Sequence, residues 1–186
     1  MNIIVKPYGS DRCYCRPDTT WERENRDFYS PECVNMIFRT PVLFARISKP
    51  GKCIGEKFVS RYYDAVGYGM LIYCSMDDYA RDSLIAFGSC ADHTSILPQP
   101  LYNPAVLENP DNIFEIKEDG TTSYLCSCGA VMTSVLHDAI CRASKMTSLR
   151  IGDMVAVELD EMLPVKGEHI RAEYCGNEII NIRIIR

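Results

Sequence analysis

Apolar residues fall in short runs along most of this chain, a pattern that predicts a strand-rich fold. The central stretch predicts a strand over Val42–Ile47, a turn at Pro50–Gly51 and a short amphipathic helix that begins near Gly55. A second apolar run, Tyr68–Cys74, follows the helix at once. We therefore expect a short helix between two strands as the organising unit of the fold. The apolar face of this predicted helix comprises Phe58, Val59, Tyr62, Tyr63 and Val66.

The second half of the chain predicts a hairpin, a long helix and a series of strands. Asp119–Gly120 is a strong two-residue hairpin signal between two apolar runs. Apolar residues recur at helical spacing over about Ala130–Met146. Gly152–Asp153 and Gly167–Glu168 each precede a predicted strand, whereas the proline-rich residues 97–111 predict a long loop. The pattern indicates a mixed α/β fold, rich in strands, with one domain over residues 1–186.

Composition and charge exclude several classes of protein. The chain is 47% apolar and 24% charged, as is usual for a soluble globular protein. Its net charge of −5 argues against a nucleic-acid partner, because phosphate binding needs a concentrated basic face. Its longest apolar run is shorter than the roughly 18 residues that a membrane span requires. Since its first residues also lack the pattern of a signal peptide, we expect a cytoplasmic protein with no membrane partner.

The ten cysteines leave two interpretations open. Disulfides are not expected, because the cytosol keeps thiols reduced. Cys13 with Cys15, and Cys126 with Cys128, form two C-x-C pairs, which would complete a four-thiolate zinc site if they met in space. Scattered thiols that behave as small apolar residues are the simpler interpretation.

Several short motifs occur here in the order and spacing of the fumarylacetoacetate hydrolase family. They are the segment Arg61–Val66, the tripeptide Ala80–Asp82, the tripeptide Ile151–Asp153 and the last two predicted strands. The chain resembles that family from about Arg16 to Arg186, at low identity. The resemblance implies a fold of mixed β-sheets with a few packed helices, and a homodimer, as is common among its relatives.

The same resemblance implies that most of a metal site is missing. Members of the family hold a divalent metal with a Glu-x-Glu pair, and those two positions fall on Thr40 and Val42 here. The third ligand, an aspartate, falls on Asp77 in one register and on Leu71 in another. Mg²⁺ and Mn²⁺ need anionic oxygen ligands, which a hydroxyl and an isopropyl group do not supply. We therefore expect no bound cofactor.

Further candidate residues follow from the same comparison and from their chemistry. Ser89 falls near a substrate-facing lysine position of the family, and Asp92 matches the aspartate of that motif. His93 follows it and is the best candidate for an acid or base. Arg39, Arg46 and Arg81 are candidates to bind a carboxylate bidentately. The expected substrate pocket comprises Arg39, Thr40, Arg81 and Ser89.

Two functional hypotheses follow. The first is a degenerate family member, a pseudoenzyme without metal-dependent catalysis, which serves in binding or assembly with itself or with an active paralogue. The alternative is a working Mg²⁺- or Mn²⁺-dependent hydrolase, decarboxylase or isomerase on a small oxo acid. That enzyme would use Asp77, His93 and relocated carboxylates from Glu158, Asp160 and Glu161.

Overall fold

The computed structural model describes residues 1–76, 85–86, 88 and 90–186. Most of the regular structure in this part of the chain is β-strand, accompanied by one long helix, α1 (Ala130–Met146). The strands are β1 (Asn2–Lys6), β2 (Tyr14–Pro17), β3 (Trp21–Glu22), β4 (Phe28–Tyr29), β5 (Met36–Ile47), β6 (Tyr63–Ser75), β7 (Ser95–Ile96), β8 (Ile113–Glu118), β9 (Thr121–Ser127), β10 (Met154–Glu158), β11 (Leu163–Pro164), β12 (His169–Tyr174) and β13 (Asn177–Ile185).

These strands form two sheets. The larger has the order β2-β1-β10-β5-β6-β7-β3, with β11 paired to β5, and the smaller has the order β4-β13-β12-β8-β9. The long antiparallel pair β5–β6 lies at the centre of the larger sheet, which confirms the prediction of two neighbouring strands in this stretch. Gly69 of β6 has no room for a side chain, because an added Cβ would lie 2.4 Å from the carbonyl oxygen of Ile96.

The segment between β5 and β6 differs from the prediction. It forms a short 3-10 helix, Glu56–Arg61, and Tyr63 already belongs to β6. Tyr63 pairs with Ile47 and Val66 pairs with Ala45, both on β5. Their apolar spacing suits a helix, but the non-local strand pairing satisfies the backbone and buries both side chains, so tertiary pairing overrides the local pattern.

The second half of the chain follows the predicted pattern, except that the proline-rich residues 97–111, predicted as a loop, contain a short 3-10 helix, Pro104–Glu108. The helix α1 has the predicted bounds, and β8 and β9 flank the predicted turn at Asp119–Gly120. Both turn residues have positive φ angles, 46° and 82°, as a tight two-residue hairpin requires. Strands β10 and β12 follow the two predicted glycine turns. Within the described residues, no helix combines the length and apolar character needed to cross a bilayer.

The larger sheet is buried on both faces, and the two faces differ. Successive residues of a strand point to opposite faces. One face packs with α1 and the smaller sheet in the main core, which includes Leu43, Ala45, Val66, Tyr68, Phe114, Leu136, Ile140, Val155 and Ile170. The other, which we call the site face, carries a separate buried apolar cluster of Ile3, Val5, Val42, Phe44, Leu71, Tyr73, Leu97, Met154 and Ala156.

Candidate functional site

The two positions that match the family's glutamates lie side by side on the site face of β5. Thr40 pairs with Leu71 of β6, while Val42 pairs with Gly69 on one side and with Glu158 of β10 on the other. Directly opposite residues of an antiparallel pair project to the same face. Thr40 and Val42 are both fully buried, so this part of the sheet is a packed interior.

The side chains of Thr40 and Val42 are engaged within the protein. Val42 is part of the apolar cluster on the site face. The hydroxyl of Thr40 donates a hydrogen bond of 2.8 Å to the backbone carbonyl of Asp160. That bond ties β5 to the segment after β10 and uses the one donor that Thr40 has.

A buried chain of polar groups runs along the same face, beginning at Glu158. Its carboxylate accepts a hydrogen bond from the Tyr73 hydroxyl and another, 2.8 Å long, from the backbone N–H of Tyr8. The Tyr73 hydroxyl is also hydrogen-bonded to the hydroxyl of Tyr14 on β2. Glu158 is only 3% exposed, and a carboxylate at this depth requires such partners.

Arg16 lies at the other end of this chain and is completely buried. Its guanidinium donates to the Tyr14 hydroxyl at 3.3 Å and lies 4.6 Å from the centre of the Tyr73 ring. The remaining donors reach the backbone carbonyl and hydroxyl of Thr94, the hydroxyl of Ser95 and the backbone carbonyl of Ile72. A buried guanidinium and a buried carboxylate therefore belong to one hydrogen-bonded network, which we call the Arg16–Glu158 network.

Burial is the main influence on the two tyrosines of the Arg16–Glu158 network. It raises the pKa of Tyr14, and it raises the pKa of Tyr73 well above the ordinary value. The neighbouring Tyr14 raises the pKa of Tyr73 further. Both hydroxyls therefore stay protonated in the folded protein at pH values at which an unfolded chain would lose these protons.

This difference predicts a loss of stability in alkaline solution. Above about pH 10 the unfolded chain releases the Tyr73 proton and the folded chain keeps it, so the free energy of unfolding falls by about 1.4 kcal/mol per pH unit for each such tyrosine. Tyr73→Phe should reduce this slope by the contribution of one tyrosine. Urea unfolding between about pH 9 and 11 measures the slope. Thr40→Val, which removes a non-titrating hydroxyl, should leave the slope unchanged; an unchanged slope in Tyr73→Phe would contradict the assignment.

The residues on this face do not fit Mg²⁺ or Mn²⁺. Such ions need several oxygen ligands, with anionic carboxylates among them. Thr40 offers a hydroxyl whose proton is already donated, Val42 offers no donor atom, and the carboxylate of Glu158 is hydrogen-bonded to Tyr73 and Tyr8. Within the residues that the structure describes, no group of three or more His, Cys, Asp or Glu side chains could hold a metal. Asp77, the other predicted ligand, lies outside those residues.

The other predicted carboxylates lie after β10. The Asp160 side chain accepts a hydrogen bond of 2.8 Å from the backbone N–H of Glu161. Glu161 is exposed and Asp160 is partly buried. Of the three relocated carboxylates in the alternative hypothesis, only Glu158 is a fully buried group next to Val42.

The two predicted pocket residues that the structure describes, Arg39 and Thr40, lie on opposite faces of the sheet. Arg39 precedes Thr40 on β5, so its side chain points to the opposite face of the sheet. There it is 1% exposed and forms an ion pair with Glu118. The Glu118 carboxylate also accepts the backbone N–H groups of Lys166 and Gly167, at 3.3 and 3.4 Å. Arg39 therefore joins the two sheets. The remaining predicted pocket residues, Arg81 and Ser89, lie outside the described part of the chain.

His93 and Asp92 lie on the segment before β7, and both are exposed. The structure pairs His93 with Glu22 of β3: the distance from Nδ1 to the carboxylate oxygen Oε2 is 3.0 Å. No local pattern joins these two residues, because 71 positions separate them in the chain. The same is true of Arg16, since its neighbourhood in the sequence is polar and typical of a surface loop.

All ten cysteines lie in the described part of the chain; none forms a disulfide, and they are scattered over the fold. Cys128 is buried and lies 3.1 Å from the Tyr68 hydroxyl in the main core. Burial raises the pKa of Cys74 to about 11, so this thiol is a poor nucleophile at neutral pH. Cys15, in contrast, is exposed.

No protein-family model and no curated protein matches this sequence, whereas solved structures match it over its whole length. Fumarylpyruvate hydrolase from Pseudomonas aeruginosa, in complex with Mn²⁺ and pyruvate, is 14% identical, with 100% of this chain and 89% of that chain covered and a TM-score of 0.76. The 2-hydroxyhepta-2,4-diene-1,7-dioate isomerase from Mycobacterium marinum is 13% identical, with 100% of this chain and 74% of that chain covered and a TM-score of 0.77. A Yersinia pestis CO92 protein assigned to the fumarylacetoacetate hydrolase family is 16% identical, with 99% of this chain and 92% of that chain covered and a TM-score of 0.75. The fold predicted from the sequence is thereby confirmed: this chain has the fumarylacetoacetate hydrolase fold.

Proposed function

We propose that this chain is a member of the fumarylacetoacetate hydrolase family that has lost metal-dependent catalysis and acts in binding or assembly. The observation that supports this most directly is the packing of Thr40 and Val42. Both are fully buried, one donates its hydroxyl to the backbone of Asp160 and the other is part of an apolar cluster. A packed pair of this kind leaves neither the oxygen donors nor the space that a hard cation needs.

The charges and hydrogen bonds of the Arg16–Glu158 network support the same proposal. A buried carboxylate needs a compensating charge or several hydrogen-bond donors. Glu158 has donors in Tyr73 and Tyr8, and the Arg16 guanidinium belongs to the same network. The carboxylate on this face is thus stabilised by the chain itself, without a metal ion.

The partner in this proposal is a second copy of the chain or a catalytically active paralogue, in the cytoplasm. This chain shares its fold with the solved enzymes named above. An inactive copy of an enzyme fold retains the surfaces through which subunits associate. Light scattering after gel filtration would measure the mass of the particle against the 21.1 kDa of one chain.

A second candidate function is a metal-dependent hydrolase or isomerase that acts on a small oxo acid. Two observations favour it: Glu158 places one carboxylate beside Val42, and the P. aeruginosa neighbour is a fumarylpyruvate hydrolase in complex with Mn²⁺ and pyruvate. This function requires further ligands from residues outside the described ones, and Asp77 is the first of them to test.

Titration with Mn²⁺ distinguishes the two functions. We expect no saturable binding tighter than about 1 mM, because the described donors of the site face are too few for a hard cation. Electron paramagnetic resonance of free Mn²⁺ measures this, and Asp77→Asn should give the same curve as the unchanged protein. The proposal fails if one equivalent of Mn²⁺ binds tightly and Asp77→Asn abolishes that binding, or if Mn²⁺ starts the turnover of an acylpyruvate.

A further inference from the structure

A cavity of about 280 Å³ lies between β4 and the segment 91–93, and it shares no lining residue with the cluster on the site face. Phe28, Pro31 and Ala91 contribute apolar walls, together with the ring of Tyr29. Its size suits a small organic molecule rather than a macromolecule.

Three residues with ionisable side chains also line the same cavity. These are Asp27, Asp92 and His93. One oxygen of Asp27 accepts the backbone N–H of Arg183 at 2.8 Å. Among the residues that the structure describes, neither Asp27 nor Asp92 has a cationic side chain as an ion-pair partner. The cavity therefore presents hydrogen-bond acceptors and negative charge to a ligand.

Glu22 fixes the orientation and the tautomer of His93. The Glu22 side chain is buried, and one carboxylate oxygen accepts the backbone N–H of Glu24 at 2.7 Å. The other lies 3.0 Å from Nδ1 of His93. Because a carboxylate accepts and does not donate, Nδ1 carries the proton, and the neutral ring has its lone pair on Nε2.

The free side of the His93 ring is the side that bears Nε2. The side chain is 50% exposed, although its Nδ1 edge is turned towards the buried Glu22. His93 also lines the cavity, and Nε2 is the ring nitrogen that does not contact Glu22. The buried carboxylate of Glu22 holds the half-exposed ring of His93 in one orientation and so keeps the acceptor Nε2 in one place.

From these contacts we propose that the cavity is a binding site for a small organic ammonium ion with an apolar body. The apolar body lies against Phe28 and Pro31, one N–H donates to Nε2 of His93, and the positive charge lies close to Asp92. An anionic ligand of the same shape is repelled by the two carboxylates. This site is independent of any metal on the site face, so its test neither supports nor weakens the proposed loss of catalysis.

Three probes of one shape test the charge preference: benzylammonium, benzyl alcohol and benzoate. Titrations followed by amide ¹H–¹⁵N spectra should move the signals of Phe28, Tyr29, Ala91 and His93 with benzylammonium. We expect benzyl alcohol to bind at least about threefold more weakly, and benzoate not to move these signals, since an exposed charge contact changes an equilibrium constant by about that factor. Equal binding of all three probes, or no shift at these residues with benzylammonium, would overturn the proposal.

Two carboxylate variants separate a specific contact from the general charge of the protein. Asp92→Asn should weaken benzylammonium binding about threefold to fivefold and change benzyl alcohol binding less than about twofold. Asp111→Asn removes an exposed carboxylate that does not line the cavity, and it should change neither affinity. Equal losses in both variants would show that the net charge, rather than this cavity, attracts the ammonium ion, and the proposal would be wrong.

Discussion

Arg16→Met is expected to lower the free energy of unfolding by about 3–5 kcal/mol, because removal of one charged member of a buried network leaves the other members without partners. The Arg16 side chain is completely buried and donates hydrogen bonds to four residues on three parts of the chain. Methionine has a similar length but no donors, so the carbonyls of Thr94 and Ile72 would each lose a buried donor.

Urea unfolding followed by far-ultraviolet circular dichroism measures the change. A matched control is Arg46→Met, because Arg46 forms a bidentate pair with Asp64 in which both side chains are nearly half exposed. That exposed pair should contribute less than about 1 kcal/mol. If Arg16→Met cost no more than Arg46→Met, the Arg16–Glu158 network would not be a determinant of this fold.

The elements that follow local rules could be predicted from the sequence. The helix Ala130–Met146 has a continuous apolar face, and the turn at Asp119–Gly120 has two residues that tolerate positive φ angles. Each of these signals depends on residues close together in the chain. The helix predicted near Gly55 was too long, because pairing of Tyr63 with Ile47 is a long-range contact that no local window contains.

The candidate site was predictable only in its strand positions. The predicted strand Val42–Ile47 begins after Thr40, whereas β5 of the structure includes both Thr40 and Val42, and the alternation of side chains puts both on one face. The same alternation places Arg39 on the opposite face, with Glu118. The partners of these residues were not predictable, since a buried Arg16 in a polar segment has no signal in a single sequence.

The site face is an interior that tolerates charge only where the chain supplies partners. Glu158 is accepted there because Tyr73 and Tyr8 donate to it. Val42, its neighbour across the strand pair, is packed in an apolar cluster. A carboxylate introduced at position 42 would therefore differ in energy from the carboxylate that is already present, although the two lie side by side.

Val42→Glu is accordingly expected to destabilise the protein by about 3–4 kcal/mol at pH 7 through its titration alone, since burial without partners raises the pKa of a carboxyl group by about 3–4 units. The folded state then holds a proton that the unfolded chain releases above its own pKa. Stability is therefore lost as the pH rises from about 4.3, the ordinary pKa of glutamate, to the raised pKa of the folded state, and it is recovered as the pH falls back towards about 4.3.

Urea unfolding of Val42→Glu between about pH 5 and 8 measures this recovery, with Val42→Gln as the matched control. Glutamine has the same shape and does not titrate. Val42→Gln should therefore lower the free energy of unfolding by about 1–3 kcal/mol, the cost of an unpaired buried amide, and this loss should be the same at every pH. The difference between the two variants isolates the cost of the charge beside Glu158. If Val42→Glu were as stable as Val42→Gln at neutral pH, this face would accept a second carboxylate, and the argument that it lacks the environment of a metal site would fail.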